Sequence, residues 1–370
     1  MVRKEAIQVI FLFLIIVTSC FCQNTNKNRS HILDDAKVDS LLLKPECLNT
    51  YIDTIKDYTV EILSIPSNGI YLYAELYIPS GGNSNYPLVI LTHGGFNEFD
   101  IIMASPLYHA PRFAHCGIAA CIYHKRGTGK SGGDYASSTN DDFINDIGVI
   151  AIYLSKHKNV DSTRIIVDGG SAGGLNAPVA ATRFPIISFV ISKSGPILKD
   201  EEEQNYNMEN ALKFRGYSDS IVKEVMPYWE KHNALWAKKD TVTLKIFAKE
   251  IIELRKKYDV FALPSTYDEV LTDTNLIFLR PTFNSMSNDV YREIKNLKAN
   301  CLFIYGENDK IVPVQASVGN IQKLMGESNN ENYDIIILKG ADHSFFDQNG
   351  KQKPVIRIIL NWLYEEKIFK

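Results

Sequence analysis

From residue 87 to the C-terminus, short apolar runs of strand length alternate with segments of helical periodicity. This alternation constrains the fold more than any other feature of the chain. The runs are 87–92 (Pro-Leu-Val-Ile-Leu-Thr), Ile118–Tyr123, Arg164–Val167, Ile187–Ser192, Asn300–Tyr305 and Tyr333–Leu338. Between and after them, Phe143, Ile147, Ile150, Ala151 and Leu154 share one helical face, and Val355, Ile358, Ile359, Trp362 and Leu363 share another. Continuous rather than alternating apolar strands need cover on both faces, so the chain reads as α/β, with a mostly parallel central sheet between two helical layers. Ahead of the alternation, Val60–Ser64 and Ile70–Pro79 flank Pro66-Ser67-Asn68-Gly69 and read as an antiparallel hairpin.

One segment breaks the rhythm. Between Gly195-Pro196 and Asn300 lie roughly a hundred residues where such a connection usually takes a handful. The segment opens with Asp200-Glu201-Glu202-Glu203, and Leu244, Phe247, Ala248, Ile251 and Ile252 mark a helix in it. Residues 199–290 are therefore expected as a helical cap insertion over the carboxyl ends of the strands, with the core built from 51–198 and 291–370. The rival reading is a helical elaboration packed on the rim. Tyr228, Trp229 and Trp236 either line an acyl pocket or form the core of the cap itself.

Arg3 and Lys4 precede an apolar stretch from Ile7 to Val17, too short to span a bilayer comfortably and suited to a secretory signal over residues 1–22. Its end has two readings. Val17-Thr18-Ser19-Cys20 resembles a lipobox with Cys20 as the lipidated mature terminus; alternatively, Cys20 and Cys22 occupy −3 and −1 of a cleavage before Gln23. Either way the protein is expected to be exported, periplasmic or secreted, with a membrane link only through a lipid at Cys20. Residues 23–50 are expected to tether it. Cys47, Cys116, Cys121 and Cys301 remain, too sparse for a disulfide scaffold, and read as mostly buried thiols.

The chemistry is concentrated just past strand ends. Gly169-Gly170-Ser171-Ala172-Gly173-Gly174 follows a strand and opens a small-residue helix. A serine hydroxyl is a weak nucleophile that needs exposure and a base, and a strand–turn–helix with flanking glycines supplies the exposure. Gly306-Glu307-Asn308-Asp309 and Gly340-Ala341-Asp342-His343 follow two later strands, on the same sheet edge. Ser171 is thus the candidate nucleophile, His343 the base and Asp309 the acid that orients it, with Glu307 and Asp342 as fallback acids. Thr92-His93-Gly94-Gly95-Phe96 ends a third strand. The oxyanion donors are expected to be the Ala172 amide and that of Gly95, with Phe96 as the alternative; His93 reads as a loop brace.

Together these motifs resemble the α/β-hydrolase superfamily over roughly residues 55–370, apart from the insertion. Within it, His124-Lys125-Arg126-Gly127-Thr128-Gly129-Lys130-Ser131-Gly132 is similar to the D-x-R-G-x-G-x-S turn of serine aminopeptidase-like and esterase branches, with His124 in place of the aspartate. The resemblance implies hydrolysis of a small ester, thioester or amide through an acyl-enzyme, with no cofactor. A carboxylesterase or acyl hydrolase comes first and an aminopeptidase or small-peptide hydrolase second; Asp200 to Glu203 either receive a peptide's amino terminus or form a solvated helix start.

Other classes fit less well. Gly127-Thr128-Gly129-Lys130-Ser131 lacks the earlier glycine of a phosphate-binding loop, because His124 stands there. No metal motif joins the 8 histidines, and a formal charge of −3 without a basic run offers nothing to nucleic acid. A lyase or peroxidase using the same three residues remains open. The rival from another class is a non-catalytic binding protein on a hydrolase fold.

Overall fold

The structure is a computed structural model that describes residues 29–34, 47, 57–81, 85–95, 110–260, 263–264, 266, 270 and 289–369. The leader, Cys20 and Phe96 lie outside the described residues, as does most of 261–288.

Among the described residues, nine strands form one sheet: β1 (Arg29–Leu33), β2 (Tyr58–Ser67), β3 (Ile70–Pro79), β4 (Tyr86–Thr92), β5 (Ala119–Tyr123), β6 (Val160–Gly170), β7 (Ile187–Lys193), β8 (Asn300–Gly306) and β9 (Tyr333–Leu338). Their order is β1-β9-β8-β7-β6-β4-β5-β3-β2. Only the β2–β3 and β3–β5 pairs are antiparallel. The β2–β3 turn is Asn68-Gly69, both at positive φ (44° and 82°), the backbone a two-residue hairpin requires. Every residue of β4 and of β5 is buried, which is why these strands read as unbroken apolar runs.

Alternate side chains of those strands feed two cores. Leu88 and Ile90 join one with α2 (Asn140–Leu154), α3 (Ala172–Arg183) and α7 (Val314–Glu327). Val89 and Leu91 join the other with α1 (Ala110–His115) and α8 (Val355–Glu365). This is a mostly parallel sheet covered on both faces, the α/β-hydrolase arrangement. Thr139 starts α2 with a reciprocal capping box to Asp142.

After β7 come α4 (Asp200–Phe214), α5 (Asp219–Ala237) and α6 (Thr241–Tyr258). They bury Val225, Trp229, Leu244, Phe247 and Ile251 in a third cluster of their own. Trp229 is buried within it, Tyr228 stacks on Phe247, and Trp236 is half-buried beside them, so these aromatic residues build the helical layer itself.

The structure departs from the sequence reading in two places. Arg29–Leu33, in the expected tether, is an edge strand parallel to β9, with Arg29 opposite Asp334 and Leu33 opposite Leu338. The open edge of β9 offers backbone donors and acceptors that an extended segment can satisfy whatever its side chains. Cys47 and Cys116 are joined in a disulfide across 69 residues, with Cα atoms 5.3 Å apart. Cys121 and Cys301 are buried thiols, pushed far above the usual cysteine range by that burial.

Candidate active site

β6 runs through Gly169-Gly170 and turns at Ser171 directly into α3. Ser171 has φ 54° and ψ −124°, a backbone region an L-residue seldom occupies. Its amide donates to the Lys193 carbonyl of β7 at 2.8 Å, and its own carbonyl accepts from the Gly174 amide at 2.7 Å. Glycine is needed around it because three backbones touch. A Cβ on Gly169 would collide with the Gly173 carbonyl, and one on Gly173 would stand 2.5 Å from the Thr92 carbonyl oxygen. Ala172 opens α3, where helix geometry leaves the first amides without intrahelical acceptors.

The loop after β4 lies against this turn. A Cβ on Gly94 would come 3.2 Å from the Ser171 Cβ and 3.7 Å from its Oγ. His93 Nδ1 is 3.0 Å from the Gly94 carbonyl oxygen. Burial, reinforced by the nearby Lys125 charge, lowers the His93 pKa to about 3, so the ring is neutral with its proton on Nδ1, facing that acceptor. His93 braces the loop. Lys125, only 1% exposed, donates from Nζ to the same carbonyl at 2.9 Å.

The candidate acid and base come from the loops after β8 and β9. His343 Nδ1 is 2.8 Å from Asp309 Oδ2. Asp309 is fixed from behind, its Oδ1 accepting the amides of Ile311 at 2.8 Å and Val312 at 2.9 Å. The Asp309 side chain is fully buried and that of His343 is 17% exposed, which gives the imidazole one protected face and one open face. Glu307 is occupied by the Gly340 amide, and Asp342 by those of Ser344 and Phe346. Both fallback acids therefore act as turn formers.

Several contacts had no local signal in the sequence. Ser194 sits at φ 49° with its hydroxyl donating to the His343 carbonyl at 3.0 Å. Tyr206 on α4 donates to the Asp309 carbonyl at 3.0 Å, which brings the helical segment to the acid loop. On the same helix, Asp200 and Glu203 are raised to about 7 and about 8. Burial is the larger cause for both; the Asp289 charge adds for Asp200, and the Asp200 and Asp309 charges for Glu203. Beneath the turn, Lys193 Nζ lies 2.6 Å from Asp168 Oδ1 in an almost fully buried ion pair. His124, in place of the usual aspartate, accepts the Lys130 amide at 2.7 Å. Arg126 finds its carboxylates on α2 instead, bidentate to Asp146 at 2.7 and 2.8 Å and to Asp142 at 3.1 Å.

Comparison with known proteins agrees with this architecture. Among solved structures, the chain is similar to DcsB in complex with its substrate analogue, at 16% identity over 84% of this chain and 98% of that one, TM-score 0.53. It is also similar to the esterase Pf2001 of Pyrococcus furiosus, at 16% identity over 84% and 91%, TM-score 0.52. A third likeness, to dipeptidyl peptidase 4 of Porphyromonas gingivalis, has 16% identity over 84% of this chain but 34% of that one, TM-score 0.51. At such identities the likeness is one of fold. No curated protein sequence matches the chain. The family model described as serine aminopeptidase, S33 (Hydrolase_4) matches residues 85–349, from β4 through the His343 loop. The chain belongs to that family of α/β-hydrolases.

Proposed function

We propose that the protein hydrolyses a small ester or related acyl compound through an acyl-enzyme on Ser171. The observation that carries this reading is the 2.8 Å His343–Asp309 pair on the sheet edge where Ser171 is held at φ 54°. In the proposed cycle, Ser171 Oγ attacks the acyl carbon and its proton passes to His343 Nε2. Asp309 accepts the Nδ1–H, fixes the tautomer and stabilises the imidazolium. The amides of Ala172 and Gly95 hold the oxyanion. Collapse expels the alcohol, which takes the proton from His343; water then repeats the sequence and releases the acid. No cofactor enters these steps. An ester asks least of the site, since an alcohol leaves more readily than an amine.

A peptide reading has one observation behind it. Asp200 and Glu203 stand on α4, whose Tyr206 reaches the Asp309 loop, and no cation among the described residues offsets their raised carboxyls. A substrate ammonium would supply one. Export is a further part of the proposal: the apolar leader has a secretory pattern, and the Cys47–Cys116 disulfide suits an oxidising compartment.

The test is kcat/KM of the mature protein and of Ser171→Ala on p-nitrophenyl esters of increasing acyl length and on aminoacyl p-nitroanilides. Turnover by wild type alone supports the mechanism, and the preferred substrates choose between ester and peptide. Equal inertness of both proteins across the panel favours a binding protein on this fold.

A further inference from the structure

We propose that Lys125 is the positioning residue for the oxyanion donor, locking the Gly94–Gly95 peptide so that the Gly95 amide faces the developing charge. The inference rests on the reading of Ser171 and Gly95 given above. Its starting point is a weakness in the loop: two successive glycines have no side chains to fix their dihedrals, and an oxyanion donor is effective only if it needs no reorientation. Something outside the loop must hold the peptide.

The C=O of Gly94 and the N–H of Gly95 belong to one planar trans peptide and point in opposite directions. A donor that captures the carbonyl therefore aims the amide. Lys125 Nζ donates to the Gly94 oxygen at 2.9 Å, beside the weaker brace from His93 Nδ1 at 3.0 Å. Gly94 in turn abuts Ser171, so the captured peptide is the one next to the nucleophile. A donor on the carbonyl also polarises the amide on its far side, strengthening what that amide can donate.

The position of Lys125 is costly for stability. The side chain is 1% exposed and its ammonium lies 5.0 Å from the centre of the Phe143 ring. Burial lowers its pKa to about 7, opposed by the Asp146 charge. A methionine of similar shape would fill the same space without a desolvated amine. The contact with Gly94 is what the lysine adds.

The experiment compares Lys125→Met, which keeps the volume and removes the donor, with Lys125→Gln, which keeps a donor on a shorter stem. Three readouts are taken on the best ester: kcat, KM, and inhibition by a boronic acid that forms a tetrahedral adduct on serine. Lys125→Met is expected to lower kcat by about tenfold to a hundredfold, less than outright loss of an oxyanion donor. KM should hold within twofold to threefold, boronate affinity should fall alongside kcat, and the Tm should equal or exceed that of wild type. Lys125→Gln should recover part of the kcat. Wild-type kcat and boronate affinity in a folded Lys125→Met protein would overturn the inference. So would failure of both variants to fold, since Lys125 would then serve folding rather than the site. Ser171→Ala is run in parallel: if it keeps activity the functional reading itself fails, and if it is inert while Lys125→Met is unimpaired only the role of Lys125 falls.

Discussion

The buried pair beneath the Ser171 turn gives a prediction whose size follows from its geometry. Lys193 and Asp168 are 1% and 0% exposed, 2.6 Å apart, on the face of β6 and β7 that also carries Ile166 and Ile191. Apart from Lys193, neither Asp168 oxygen has a hydrogen-bond partner among the described residues, so the ion pair is the main compensation for burying that carboxylate. Burial raises the Asp168 pKa even against the pull of Lys193, the sign of a pair whose attraction does not recover its desolvation. Removing one partner should then cost about 3–5 kcal/mol, a large share of the roughly 5–15 kcal/mol that holds a domain folded. Replacing both by apolar residues, as in Asp168→Leu with Lys193→Met, should be neutral or stabilising by about 1–4 kcal/mol. Lys193→Met alone adds a pH signature. Its orphaned Asp168 can protonate, which at pH 7 costs about 4 kcal/mol against an unfolded carboxyl near 3.9. A folded pKa raised that far makes the unfolded state the weaker proton binder, so stability falls as pH rises above about 4. The stability of Lys193→Met should therefore rise by up to about 1.4 kcal/mol per pH unit as pH is lowered from 7 towards 4, more steeply than that of wild type. Urea unfolding followed by tryptophan fluorescence at pH 7 and pH 5 measures all four proteins. Single variants costing under about 1 kcal/mol, or a double variant no better than the worse single, would refute the reasoning.

Three further outcomes follow from other contacts. Lys125, with its pKa lowered from 10.5 to about 7, faces Asp146, His93, the Phe143 ring and the Gly94 carbonyl. The unfolded chain binds the extra proton between those pH values, so wild-type stability should rise relative to Lys125→Met by up to about 1.4 kcal/mol per pH unit between about pH 7 and 10.5; parallel pH profiles of unfolding would contradict this. Gly173→Ala, whose Cβ would stand 2.5 Å from the Thr92 oxygen and 2.8 Å from that of His93, should lose on the order of a hundredfold in kcat/KM, measured on protein that circular dichroism shows to be folded. Cys47→Ser opens a 69-residue cross-link, worth about 4 kcal/mol in the chain-entropy account, and should lower the Tm under non-reducing conditions to that of reduced wild type.

Local signals made much of this protein legible before its structure. β4 and β5 are buried on both faces, so their sequences are almost wholly apolar, and Asn68-Gly69 marks the hairpin turn by residue chemistry alone. Ser171, Asp309 and His343 stand out because each lies within a few residues of a strand's carboxyl end. Contacts made at a distance left no such trace. β1 is held by the backbone edge of β9, and Arg-Ser-His-Ile-Leu has no strand pattern of its own. Nothing near Cys47 names Cys116 as its partner. Lys125 and Lys193 look like ordinary surface lysines until the fold places one against Gly94 and the other against Asp168. Ser194 at φ 49° likewise acquires meaning only from the His343 carbonyl it meets.

The central claim is that Ser171 is a nucleophile activated by His343 and Asp309. Labelling the protein with a fluorophosphonate and mapping the adduct by mass spectrometry tests it without any knowledge of the substrate. The account predicts one adduct, on the peptide containing Ser171, absent in Ser171→Ala and slowed by several orders of magnitude in His343→Ala. In Asp309→Asn the rate should drop on the order of ten-thousand-fold, because the imidazole loses its orienting carboxylate. An adduct on another residue, or labelling of Ser171 at an unchanged rate without His343, would contradict it.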